Sequence, residues 1–92
     1  MADIHVVRQH ALGREEARRR VDRAIGDLQQ KYPFTTAWLD DDHLSLKAMG
    51  VDGEVEVRDD AIEVRITLGF MASMFKDTIE SEIDTAFGRG LA

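Results

Sequence analysis

The apolar positions of this chain change period several times, and each change marks an element. From Asp3 to Arg8 they alternate, with Ile4 and Val6 on one face and His5 and Val7 on the other, the two-residue period of a strand. After Leu12-Gly13 the period lengthens. Ala17, Val21, Ala24, Ile25 and Leu28 fall on one stripe of a helix running from Arg14 to Lys31. Glu15 and Arg19, and Glu16 and Arg20, are i,i+4 pairs with the acid first, which is the favourable order. Tyr32-Pro33 ends the helix, because the residue before a proline is pushed out of the α region.

Four strands follow, over Phe34–Leu39, His43–Gly50, Glu54–Arg58 and Ala61–Leu68. Asp52-Gly53 carries a two-residue hairpin signal, which would pair Gly50 with Val55 and Ala48 with Val57. A turn at Asp59-Asp60 pairs Val57 with Ile62 and Val55 with Val64. Together these turns put Leu44, Leu46, Ala48, Val55, Val57, Ile62, Val64, Ile66 and Leu68 on one inward face. Glu54, Glu56, Arg58, Glu63 and Arg65 lie on the wet face. The Asp40-Asp41-Asp42 turn leaves two registers open. A two-residue loop turns Ala37 and Leu39 inward, and a three-residue loop turns Trp38 inward instead. On the last helix Ala72, Phe75, Ile79, Ile83 and Ala86 form the apolar stripe, with Phe87 at its edge and Asp77, Glu80 and Asp84 toward solvent. The predicted order is β-α-β-β-β-β-α, an α+β fold in which two helices cover one face of an antiparallel sheet.

A chain of 92 residues is expected to form a single domain over 1–92 with a modest core, for which a homodimer would add buried surface. Neither a basic, apolar leader nor an apolar run approaching the ~18 residues of a membrane span is present, so a cytoplasmic location with no transmembrane segment is expected. The net charge of −6 argues against nucleic acid as a partner. That charge is uneven: residues 1–31 hold seven Lys/Arg against five Asp/Glu, and residues 32–92 hold five against thirteen.

Reactive chemistry is sparse. With no cysteine there is no thiolate nucleophile and no cysteine-based zinc site, and His5, His10 and His43 match no compact metal motif. Asp40-Asp41-Asp42-His43 lacks the alternating ligands, glycine and closing glutamate of a calcium loop. No G-x-S-x-G elbow occurs; Ser45 falls in a strand, and Ser73 and Ser81 in or near a helix. The arginines at 14, 18, 19, 20 and 23 spread around the exposed arc of their helix with acids between them. The reading is a protein that is not an enzyme, with no catalytic residues, no metal and no cofactor. Two apolar features remain as candidates. Phe70 either folds back on the sheet as a hydrophobic staple or joins Met74 in a surface patch for a subunit, lipid or polymer. Between the sheet and the last helix, Val64, Phe75, Ile79 and Ile83 would line a pocket for an acyl or other apolar ligand.

The opening Met1-Ala2-Asp3-Ile4-His5-Val6-Val7-Arg8 with His10-Ala11-Leu12-Gly13, then Trp38, Gly50-Val51-Asp52-Gly53, Leu68-Gly69-Phe70, Phe75-Lys76 and Ile79-Glu80-Ser81-Glu82-Ile83, resembles the polyhydroxyalkanoic acid system (granule-region) proteins. The resemblance covers nearly the whole chain; the Asp40-Asp41-Asp42 turn departs from the glycine-containing turn of that pattern. It implies a small cytoplasmic bacterial accessory protein of polyhydroxyalkanoate storage, with the granule surface or granule proteins as partners and no catalytic residues to carry over. The element order is also similar to a shortened helix-grip (START-like) fold, in which a C-terminal helix closes a curved sheet around an apolar cavity.

Overall fold

A computed structural model describes residues 2–90. Strand β1 (Ala2–Gln9) leads into helix α1 (Arg14–Gln29). Strands β2 (Thr35–Trp38), β3 (His43–Ala48), β4 (Val51–Val57) and β5 (Ala61–Leu68) follow, and a 3₁₀ turn (Ala72–Phe75) opens helix α2 (Lys76–Gly90). The five strands form one antiparallel sheet in the order β1-β5-β4-β3-β2, so α1 carries the chain from one edge to the other.

The inward face holds Ile4, Leu44, Val55, Val57, Ile62, Val64, Ile66 and Leu68, and both helices lie on it. Ala17, Val21, Ala24 and Ile25 come down from α1, and Ile83 and Phe87 from α2, into one cluster. Each large side chain removed from water there contributes about 1.5–3 kcal/mol. Helix α1 starts without a side-chain cap; Gly13, at φ 80°, accepts the Ala17 N–H at 3.0 Å, while Glu15 and Glu16 complement the N-terminal end of the helix dipole. The helix ends at Gln29, two residues short of the expected Lys31, because its last turn tightens: the Lys31 and Tyr32 amides both donate to the Leu28 carbonyl.

The β4–β5 register is the expected one, Val57 opposite Ile62 and Val55 opposite Val64. The β3–β4 turn is not. It is made by Met49-Gly50, with Ala48 opposite Val51, and Asp52-Gly53 lies inside β4. Gly50 supplies the left-handed backbone, φ 74°, that this turn needs. Gly53 serves a different purpose. A Cβ there would stand 3.1 Å from Ile66 Cγ1 and 3.4 Å from the Arg65 carbonyl oxygen, so glycine permits close cross-strand packing. The expected inward face survives the error because the register slips by an even number of residues.

The β2–β3 connection is the three-residue loop. Leu39 N–H donates to the His43 carbonyl at 2.8 Å around Asp40-Asp41-Asp42, and Trp38 opposes Leu44 on the helix side. The indole N–H donates to Asp22 Oδ1 at 2.8 Å, and the Arg18 guanidinium sits 4.1 Å from the ring centre, so α1 fixes the facing of β2.

Candidate functional site

The two ends of the sheet differ in chemistry. At one end lie the two acidic turns, Asp40-Asp41-Asp42 and Asp59-Asp60, with the Arg14 guanidinium 3.5 Å from both Asp42 and Asp59. At the other end the Met49-Gly50 turn abuts the chain leaving β5: Gly69 N–H donates to the Gly50 carbonyl at 2.7 Å, and a Cβ on Gly69 would crowd that oxygen at 3.3 Å. The chain then tightens into the 3₁₀ turn, held by the Ser73 hydroxyl donating to the Phe70 carbonyl at 2.7 Å and the Ser73 amide donating to the Gly69 carbonyl.

This turn decides which side chains face water. Three residues per turn break the 3.6-residue stripe expected to run from Ala72 through Phe75 to Ile79. Phe75 therefore leaves the core and is 60% exposed, a correction to its place on the buried stripe. Phe70 does not fold back as a staple; it is 80% exposed, beside Met71 at 71% and Met74 at 74%. Met49, fully exposed, projects from the neighbouring turn. These five side chains give one end of the molecule an apolar surface. Met49 carries no such signal in the sequence, since its exposure depends on how its turn is built, whereas Met71 lies at the margin of the predicted stripe and is exposed in the fold.

Beside this surface an apolar groove of about 340 Å³ runs between the end of the sheet and the two helices. Phe75, Ile79 and Ile83 line it, as the sequence suggested. Val64 does not. At 2% exposure it lies mid-strand between Val6 and Val55 in the core, while Ile66, one pleat further along β5, reaches the groove. The remaining walls come from Leu46, Ala48 and Val51 of the sheet and from Leu28 and the Tyr32-Pro33-Phe34 exit of α1. That aromatic-proline-aromatic exit is the sequence signal that could have located them. Thr78 and Glu82 are the polar members from α2. Glu82 accepts a hydrogen bond from Tyr32, and Lys31 Nζ stands 3.9 Å from its carboxylate. Partial burial first, then the Glu82 charge and this hydrogen bond, hold the Tyr32 hydroxyl above its ordinary pKa.

On the opposite sheet face a charged ladder takes shape. Glu56 and Glu63 are directly opposed, a like-charge pair, and Arg58 and Arg65 bridge them. Glu63 also meets His5 on β1, and it is only 8% exposed. The His5 hydrogen bond, followed by the Arg65 and Arg58 charges, holds the Glu63 carboxyl below its ordinary range. Near the acidic turns, Asp40 accepts from the Asp42 amide and from His43, which lowers the carboxyl and raises the imidazole. His10 hydrogen-bonds the Arg58 carbonyl and the Leu12 amide. Each histidine is thus engaged in holding a turn or the ladder. Among the described residues no group of three or more His, Asp or Glu could hold a metal ion. No helix among them is long and apolar enough to cross a membrane.

The family model described as "Putative polyhydroxyalkanoic acid system protein" matches residues 4–91. The chain belongs to this family. No curated protein and no solved structure shows significant similarity to it.

Proposed function

From membership of the polyhydroxyalkanoic acid system family and the two-ended chemistry of the molecule, we propose a non-catalytic accessory protein of polyhydroxyalkanoate storage. It works in the cytoplasm at the granule surface, with its apolar end against polymer or granule proteins and its acidic end in water. The observation that carries this reading is the exposure of Phe70, Met71, Met74 and Phe75 within one short segment, together with Met49 on the turn bonded to its start. A soluble protein seldom leaves so many large apolar side chains together in water unless a surface covers them. Phe70 and Met74 are the contact residues. Their transfer onto an apolar surface is worth about 1.5–3 kcal/mol each as an upper range.

Co-sedimentation of the purified protein with isolated polyhydroxyalkanoate granules tests the proposal, with an acidic protein of similar size as control. Saturable binding is expected, weakened at least tenfold by Phe70→Ser with Met74→Ser. Both residues are exposed, so the fold is retained. Binding no better than the control removes the granule role; unchanged binding of the double variant removes these two residues from it.

A second reading is supported by the groove, whose 340 Å³ falls at the small end of ligand pockets. In it the protein is a shortened helix-grip module that holds an acyl or other apolar ligand against Phe75, Ile79 and Ile83. Native mass spectrometry of protein purified from its host then shows a bound adduct, and a bare apo mass counts against this reading.

A further inference from the structure

The two edges of the sheet are treated differently. Strand β2 is a short edge of four residues, entered two positions after Pro33. Strand β1 is eight residues long, contains no proline and pairs with β5 without a bulge from Ala2↔Leu68 to Gln9↔Ala61. Among the described residues no strand pairs with its outer edge. A long, regular, uncovered edge presents a row of backbone donors and acceptors to any extended chain.

A surface groove follows this edge. Its β1 wall is His5, Val6, Val7 and Arg8. Four consecutive residues point alternately to the two sheet faces, so what lines the groove is the strand edge itself. The facing wall is α2, through Asp77, Glu80, Ser81 and Asp84. Arg8, the groove's one guanidinium, is already ion-paired with Asp84. The wall is therefore anionic, and Asp77 and Glu80 are exposed.

We propose that the β1 edge docks an extended segment of a partner protein that carries Lys or Arg at alternate positions, added to the sheet as a sixth strand. Main-chain hydrogen bonds to β1 supply the affinity, and cations on the helix side meet Asp77 and Glu80. From Asp77 to Asp84 the helix rises ~10 Å, which spans two to three alternate positions of a strand at ~6.7 Å apart. A second copy of this chain fits poorly. Two β1 strands joined antiparallel in one sheet keep both helix layers on the same face, so the two acidic α2 walls oppose each other. This inference stands apart from the granule role and survives its failure.

The probe is a fluorescein-labelled octapeptide of alternating Lys and Val, with alternating Glu and Val and a Lys-block/Val-block peptide as controls. Anisotropy should show saturable binding of the Lys-Val peptide, at least tenfold tighter than either control. Hydrogen exchange should slow at amides within residues 5–8. Asp77→Asn with Glu80→Lys should weaken binding at least tenfold. Equal binding of the block peptide reduces the effect to non-specific charge attraction and overturns the proposal. So does unchanged exchange in β1, or a dimer of the free protein that already protects those amides. The comparison of peptides on the native chain decides the matter even if the double variant is unstable.

Discussion

Trp38 is the one tryptophan of the chain, and its attachment to α1 can be measured directly. Trp38→Phe keeps an aromatic ring on the inner face, removes the 2.8 Å hydrogen bond to Asp22 and weakens the Arg18 stacking at 4.1 Å. A hydrogen bond to a charged group contributes about 1.5–3 kcal/mol when water is excluded. Asp22 is exposed, so water competes and about 0.5–1.5 kcal/mol is the better range. The cation–π contact adds about 0.5 kcal/mol at such a site. Together with the smaller ring, Trp38→Phe should cost about 1–2 kcal/mol, near 5–15 °C in Tm for a domain of this size. Asp22→Ala alone is ambiguous, because it also improves helix propensity. A double-mutant cycle cancels that term, and the Trp38–Asp22 coupling should be about 0.5–1.5 kcal/mol. Urea unfolding followed by far-ultraviolet circular dichroism gives all four stabilities without relying on the missing indole. A coupling below about 0.3 kcal/mol, with no loss in Trp38→Phe, would show that Trp38 faces away from α1 and that the three-residue loop is wrong.

Other outcomes follow from the packing. Gly53→Ala forces a methyl to within 3.1 Å of Ile66 Cγ1, and overpacking of this kind costs about 1–3 kcal/mol; a neutral result in chemical denaturation would return Gly53 to a turn. Phe87, 2% exposed, docks α2 on the sheet, and Phe87→Ala should cost about 3–5 kcal/mol, a large share of the total stability of a domain this small. The Glu63 carboxyl lies below its ordinary 4.5 in the folded state, so its contribution is present above pH 4.5 and lost as pH falls below it. Glu63→Gln should therefore flatten the acid limb of a stability-against-pH curve, and an unchanged limb would remove the His5–Glu63–Arg65 ladder from that role. His43 is raised above its ordinary 6.5 by Asp40, so its stabilisation is complete below pH 6.5 and fades as pH rises past its folded value. Its imidazole signals in an NMR titration should move at a higher pH than in Asp40→Asn.

What the sequence determined by itself is what depends on period. The strand faces follow from alternation, and so the inward set survives a slipped hairpin, since an even slip leaves every side chain on its own face. The Ala17–Leu28 stripe and the Asp59-Asp60 register are equally local, and both are found in the fold. The tertiary structure decided whatever depends on residues far apart in the chain. Met49-Gly50 is chosen over Asp52-Gly53 because Gly53 must fit against Ile66 and Leu46, which lie on the two neighbouring strands. Trp38 turns inward because Asp22 and Arg18, a helix away, receive it. Phe75 leaves the buried stripe because Gly69 is held against Gly50 and the chain must turn tightly before α2 can start. The groove needs Leu46, Ile66, Ile79 and Tyr32 at one place, which no single repeat encodes. Local order sets which face of each element is apolar; contact between elements sets which apolar side chains remain in water.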